Sequence, residues 1–249
     1  MSIVWQKRRG GVDYQVRRAG RSLRLYTNGV FHSQYNPARP ATGSVWDLLL
    51  LPAFFHPPGA IRRVLVLGVG GGAVIQNLRR LVQPEAVIGI DRDPVHLSVA
   101  RRFFGVRGPD VRLVEADAID WVRGYRGPAF DLVIDDLFGE VEGEPRRAIH
   151  AGPEWAAVLL PLLSGEGTLV SNFVSRLELD VSAWVADAAF RNRFVGGFAL
   201  STPRNYNQVG AFVRLPTSPR VLRERLATIP GLNPRRARNR LDYRIRTLF

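Results

Sequence analysis

The 249-residue chain contains no cysteine. That excludes disulfides, thiolate metal sites and a cysteine nucleophile, and it fits a reducing compartment. Its four histidines fall at no metal-ligand spacing, so no metal is expected. Long hydrophobic runs are missing too. The longest, Leu48 to Phe55, falls far short of the about 20 residues that span a bilayer. Met1 to Gly10 has no apolar leader core. The expectation is a protein of the cytoplasm without a membrane segment. Lysine is nearly absent: Lys7 stands alone, and arginine supplies the rest of a formal net charge of +13. Arginine favours bidentate contact with anions. One cluster, Arg235, Arg236, Arg238, Arg240, Arg244 and Arg246, lies near the C-terminus. It lacks interleaved aromatics apart from Tyr243 and Phe249 and has no nucleic-acid-binding motif, so sequence-specific nucleic-acid binding is not expected of it.

The most informative stretch present is Val64-Leu-Val-Leu-Gly68-Val-Gly70-Gly71-Gly72-Ala73. Four apolar residues read as a buried parallel strand. A glycine loop follows, then an apolar-periodic helix from Val74 to Leu81. Such a unit sets backbone N–H groups and a positive helix end beside a nucleotide-like ligand. Strand and helix patterns alternate from Ile61 to about Leu215. Strands are expected at Val64–Leu67, Ala86–Ile90, Val111–Val114, Leu132–Ile134, Gly167–Asn172 and Val209–Val213. Helices are expected at Val74–Leu81, Pro94–Phe104, Ala118–Arg123, Pro153–Leu163 and Asp180–Phe190. This alternation predicts an α/β fold: a Rossmann-like, doubly wound, mostly parallel sheet.

Two smaller segments flank it. Residues 1–57 alternate in short runs around Asn28-Gly29, a strong hairpin turn, and end in a helix near Val45 to Phe55 before the Pro57-Pro58-Gly59 break. They predict a small β-hairpin appendage with a gating helix. Residues 58–215 form the nucleotide-binding domain. Residues 216–249 hold one amphipathic helix, Pro219 to Leu226, and the arginine-rich tail. A hairpin of that size is too small to be stable alone, which together with the family resemblance described below predicts a homodimer.

Ligands of an open parallel sheet bind at the carboxyl ends of its strands. Gly68, Gly70 and Gly72 stand at one such end. Asp91 closes Val87-Ile-Gly-Ile, 23 residues after Gly68, where a carboxylate can accept from both ribose hydroxyls. Gly68-x-Gly70-x-x-Ala73 fits a dinucleotide fingerprint; Gly68-x-Gly70-x-Gly72 fits an S-adenosylmethionine site. The next strand run, Leu113-Val-Glu-Ala-Asp117-Ala118, favours the second. Asp117 would accept from the adenine amino group while Ala118 contacts the ring. The fourth run ends in Asp135-Asp136, beside the position of a reacting sulfonium.

The order of these pieces resembles the spermidine synthase family, a branch of the class I S-adenosylmethionine-dependent methyltransferase fold. The likeness covers roughly residues 12–215. It rests on Leu25-Tyr-Thr-Asn28-Gly29-Val-Phe, Leu51-Pro52, His56-Pro57, Leu67-Gly-Val-Gly-Gly-Gly, Phe130-Asp131-Leu-Val-Ile-Asp135 and Gln208-Val-Gly210. The resemblance implies a transferase whose donor is S-adenosylmethionine or its decarboxylated form, and a small-molecule acceptor. The departures bear on that acceptor. The family's loop aspartate is Gly71 here, its Tyr-x-Glu falls on Ser44-Val45-Trp46, and its Asp-x-x-Asp falls on Asp135-Asp136-Leu137-Phe138. An amine in a partly dry pocket needs anionic partners, and most are replaced. The expected function is therefore group transfer to a non-polyamine acceptor, methyltransferase-like. Two alternatives stand beside it: a polyamine aminopropyltransferase with a rearranged amine site, and a non-catalytic nucleotide- or nucleic-acid-binding module. Asp135 is expected to act as general base or to orient the acceptor. His32, Trp46, Asp136, Phe138 and Tyr206 are expected around it, with Asp47, Asp136 or Tyr206 compensating for lost groups. Arg92 or Gln76 would face a donor carboxylate.

Overall fold

A computed structural model describes residues 1–141, 144–233 and 241–249. The chain opens with strands β1 (Ser2–Arg9), β2 (Val12–Ala19), β3 (Ser22–Thr27) and β4 (Val30–Tyr35), an antiparallel four-stranded meander. The β3–β4 turn is Asn28-Gly29, both residues at positive φ (49° and 84°), as a tight hairpin of matching twist requires. The N-terminal unit is thus larger than one hairpin. Tyr14, Val16 and Leu25 bury one face in the main core, and Trp5 meets Phe103 of the body at 5.6 Å between ring centroids. Smallness of a lone hairpin therefore gives no reason for a dimer.

Helix α1 (Val45–Leu50) runs into a 3-10 turn at Leu51–Phe55, and both are buried throughout. The body follows: β5 (Arg63–Leu67), α2 (Ala73–Leu81), β6 (Ala86–Asp91), α3 (Pro94–Arg102), β7 (Val111–Glu115), α4 (Ala118–Gly124) and β8 (Phe130–Asp135). A hairpin, β9 (Phe138–Val141) and β10 (Glu144–Arg147), precedes α5 (Pro153–Leu159) and the long β11 (Leu163–Phe173). Then come α6 (Arg176–Asp180), α7 (Ala183–Ala186), α8 (Ala188–Arg191), β12 (Gly196–Thr202), β13 (Asn205–Val213), α9 (Pro219–Thr228) and β14 (Arg244–Thr247).

The main sheet has eight strands in the order β14-β12-β13-β11-β8-β5-β6-β7. β11, β8, β5, β6 and β7 are parallel; β13, β12 and β14 join antiparallel. Val64 to Leu67 are fully buried, which is why an unbroken apolar run is needed there: helices cover both faces. Chain order reverses between β5 and β8, opening the crevice in which such sheets bind ligands.

Three expectations change. The helix expected over Asp180–Phe190 is three short helices. The Ser182 hydroxyl donates to the Leu179 carbonyl and Asp187 caps α8 through the Ala189 N–H, so side chains take over backbone partners and break the run. β12 and β14 were not anticipated. The segment after Leu215 is not a separate appendage, because Leu222, Leu226 and Leu232 are buried in the core and β14 forms a sheet edge. Arg244 and Arg246 lie on that edge, Arg246 pairing with Asp180 at 3.4 Å. Arg235, Arg236, Arg238 and Arg240 fall outside the described residues.

The tightest backbone approach is at Gly68 (φ +86°), where a Cβ would lie 2.2 Å from the Asp136 carbonyl oxygen. Gly68→Ala is expected to cost about 3 kcal/mol or more, through strain and forced displacement of β8. Chemical denaturation of the two proteins measures it.

Candidate active site

A cavity of about 930 Å³ lies between the N-terminal sheet and the carboxyl ends of β5, β6, β7 and β8. Its size and place suit a cofactor-sized ligand. Gly68, Val69 and Gly70 form one wall. A Cβ on Gly70 (φ +51°) would touch the His32 carbonyl at 3.0 Å. Gly72 lies outside the lining; it starts α2 at φ +77°, where a Cβ would meet Val106 at 2.6 Å. Its glycine serves close helix packing. Gly71 is closed off between Phe104 and Ser33, each 2.8 Å from where a Cβ would stand, so no acidic side chain fits there.

Asp91 lines the cavity and braces the loop. Its Oδ2 accepts from the N–H groups of Val69 (3.0 Å) and Gly70 (2.9 Å), and Oδ1 from Asp93 N–H (2.9 Å). Charge-assisted bonds of this kind are roughly twice as strong as neutral ones. Burial opposes ionisation of Asp91, but the facing His96 and the backbone N–H groups of Asp93 and Gly70 together outweigh it and hold its pKa below the usual carboxylate value. Arg92 lies beside it in the lining, as do Asp117 and Ala118. Asp117 caps α4 through Ile119 N–H at 2.8 Å, so it serves the helix and the cavity together.

The largest correction concerns Asp135. Side chains alternate along a strand, and Asp135 points away from the cavity, fully buried, against Arg147 (2.7 Å), Trp155 (3.1 Å) and Ser171 (3.2 Å). Asp136 faces the cavity instead. Asn172 donates to its Oδ1 at 2.7 Å, and Asn207, also in the lining, donates to Asn172 at 3.1 Å. Burial, with Asp135 adding to it against the Asn172 bond, pushes the Asp136 pKa up to about 7.

The other sequence-derived residues divide. His32, Trp46 and Phe138 line the cavity. Trp46 meets Phe31 edge-on at 4.9 Å. Burial, and then neighbouring His96, lower the His32 pKa to about 4, leaving that ring neutral and basic only weakly. Tyr206 does not reach: it is 95% exposed, although Asn205 and Asn207 beside it line the cavity. Asp47 accepts from the N–H groups of Thr42 and Gly43 and is spent on that loop; burial raises its pKa to about 6. Gln76 donates to the Phe104 carbonyl at 2.6 Å, away from the site. Among the described residues no three His, Asp or Glu side chains are arranged to hold a metal, and no helix is long and apolar enough to cross a membrane.

Sequence reading missed the group that ties the N-terminal sheet to this site. Tyr14 donates to Asp93 at 2.8 Å, and Thr27 bonds His96 Nε2 at 2.8 Å. His96 Nδ1 lies 3.7 Å from Asp91. Asp93 was legible only as a helix cap, a role it also fills; the partners across 79 and 69 residues left no local signal.

Residues 64–161 match the family model described as a methyltransferase domain. Polyamine aminopropyltransferase 2 of Caldanaerobacter subterraneus subsp. tengcongensis is 33% identical over 108 residues, 42% of this chain and 35% of that protein. The release factor glutamine methyltransferase of Deinococcus radiodurans is 31% identical over 130 residues, 47% of this chain and 45% of its own. The crystal structure of a probable spermidine synthase from Corynebacterium glutamicum superposes with a TM-score of 0.75 at 15% identity, covering 100% of this chain and 92% of that one. The chain has a spermidine synthase-like fold of the class I methyltransferase type. The aligned region spans less than half the length of these curated relatives.

The His96 contacts carry a pH signature. Burial disfavours the charged ring, but Asp91 and Asp93 more than offset it, so the pKa lies above its usual 6.5. A raised folded value means stability fully present below about pH 6.5 and lost as pH rises through that higher value. Asp91 has the opposite sense, its share present above about pH 4 and lost as pH falls through its lowered value. The gap in melting temperature between the natural protein and His96→Asn is expected to be widest near pH 6 and to narrow above it. Thermal melts across pH 5.5–9 measure this.

Proposed function

We propose that this chain is a transferase of the aminopropyltransferase type, moving an alkyl group from an adenosyl sulfonium donor to an amine. The observation that carries the reading is Asp136: a half-buried carboxyl on the cavity wall, beside the glycine loop, with its pKa raised to about 7. The residues fit such a donor. Gly68 and Gly70, whose Cβ positions are closed by the Asp136 and His32 carbonyls, keep bare loop backbone on the cavity wall, and Asp91, Asp117 and Ala118 in the same lining support their reading as partners of ribose hydroxyls and adenine. Four aspartates, Asp91, Asp93, Asp117 and Asp136, against one arginine, Arg92, line the cavity, which favours a cationic ligand inside a strongly basic protein. The similarity to proteins named polyamine aminopropyltransferase supports the same reading.

The donor, when bound, supplies an activated carbon on sulfur. The amine lone pair forms the new C–N bond as the C–S bond breaks and its electrons remain on sulfur. Asp136 accepts the proton that the amine nitrogen gives up, and Asn172 holds that carboxyl in place. The walls orient the reactants, and proximity provides most of the acceleration. A carboxyl poised near neutrality suits this proton transfer.

A second reading keeps the chemistry but not the polyamine. Gly71 has no space for an acid, and Trp46 and Phe138 line the cavity where polyamine-making relatives are expected to carry anionic or tyrosine groups. It predicts poor use of putrescine and spermidine.

One assay tests both. Decarboxylated S-adenosylmethionine is offered with putrescine, and methylthioadenosine release is followed. Release supports the first reading. Tight methylthioadenosine binding with no release from putrescine or spermidine favours the second. Failure to bind either donor form or methylthioadenosine overturns both. Where turnover is seen, Asp136→Asn is expected to lower kcat by about a hundredfold or more, with methylthioadenosine affinity changed by less than about threefold.

A further inference from the structure

Behind the cavity wall lies a buried ion pair that the chemistry above does not use. The side chains of Arg147, at the end of β10, and Asp135 are 2% and 0% exposed and meet at 2.7 Å. Arg147 Nε donates to the Ile149 carbonyl at 3.2 Å, its Nη1 donates to the Asn172 carbonyl, and its guanidinium lies over the Phe173 ring. Asp135 Oδ1 is buried without a hydrogen-bond partner. Replacing such a pair by apolar residues is often neutral or favourable for stability, so stability alone is a poor account of it. Its placement is more telling. One guanidinium touches both the carboxylate adjoining Asp136 in the chain and the residue, Asn172, that hydrogen-bonds Asp136.

We propose that the Arg147–Asp135 pair is a positioning device for Asp136: it presents a charge-balanced neighbour that sets how readily Asp136 takes a proton, and it fixes Asn172 against it. The consequence for turnover rests on Asp136 being the proton acceptor; the electrostatic claim does not. Among the described residues the charges acting on Asp136 are Asp135 beside it on β8, Arg147 from β10 and Asp91 at the end of β6; Tyr14, His32, Arg92, Asp93, His96 and Asp117 share the cavity lining. Glu178 of α6 stands behind Arg147, 3.8 Å from it. Asn172 on β11 is the direct hydrogen-bond partner. Asp135 and Asp91 push the proton affinity of Asp136 up, and Arg147 pulls it down. Removing one member of the pair therefore shifts Asp136 in one direction, and removing the other shifts it in the opposite one. A purely structural role has no such sign.

The test is a carbon-13 carboxyl NMR titration of aspartate-labelled protein, with the Asp136 resonance assigned by its loss in Asp136→Asn. Asp135→Asn is expected to move the midpoint down and Arg147→Met to move it up, each by about one pH unit or more. Arg147→Lys, which keeps the cation, is expected to stay within about half a unit of the natural protein. Both single variants leaving the midpoint unmoved, or moving it the same way, overturns the proposal. Should one single variant not fold, the double variant Asp135→Asn/Arg147→Met stands in for it: relative to the single variant that folds, its midpoint is expected to move about one pH unit the opposite way, and a midpoint equal to that single variant's overturns the proposal. The titration needs no turnover, so absence of methylthioadenosine release counts against the functional reading alone. In an active enzyme the acid limb of kcat is expected to follow the same shifts.

Discussion

The Asp91 carboxylate holds this site together. It gathers three backbone N–H groups, two from the glycine loop and one from the start of α3, and it faces His96, which Thr27 bonds from the N-terminal sheet. Loop, helix and sheet thus converge on one half-buried anion. Without it the loop donors would be left unpaired in a largely dry site, at a cost of about 1–3 kcal/mol each. The same carboxylate is the candidate ribose partner, so architecture and ligand compete for its oxygens.

Charge in this protein is local. A net charge of +13 suggests a molecule that repels cations, yet the candidate cleft is lined by four aspartates and a single arginine. Field inside a cleft with low-dielectric walls is governed by the nearest groups, while distant arginines are screened over about 10 Å. Whole-chain charge is therefore a weak guide to what the cavity accepts. The cavity acids also differ among themselves: His96 and backbone N–H groups lower the pKa of Asp91, whereas burial raises that of Asp136 to about 7. Environments that push neighbouring carboxyls apart in this way allow one to bind and another to exchange a proton.

The alternation of β8 decides which acid does what. Adjacent aspartates on a strand face opposite sides, so Asp135 goes to the arginine pair and Asp136 to the cavity. A family pattern aligned one residue off exchanges their roles completely. The hairpin of β9 and β10 adds to this, returning Arg147 beneath the wall to which Phe138 belongs.

The sequence by itself determined the parallel α/β core, because continuous apolar runs, glycine turns and helix caps act over a few residues: β5 to β8, α2 to α4 and the Asn28-Gly29 turn stand where local rules put them. It also marked Gly68, Gly70, Asp91, Asp117 and Ala118, since each closes or follows a strand. Only the tertiary structure decided which of Asp135 and Asp136 meets the cavity, that Gly72 packs a helix, that Tyr206 points to solvent and Asp47 to its own loop, and that the C-terminal segment completes the sheet. Those outcomes depend on strand facing and on partners tens of residues apart, such as Tyr14 with Asp93 and Thr27 with His96. Local sequence carries no record of such contacts, because they form only when separate elements dock.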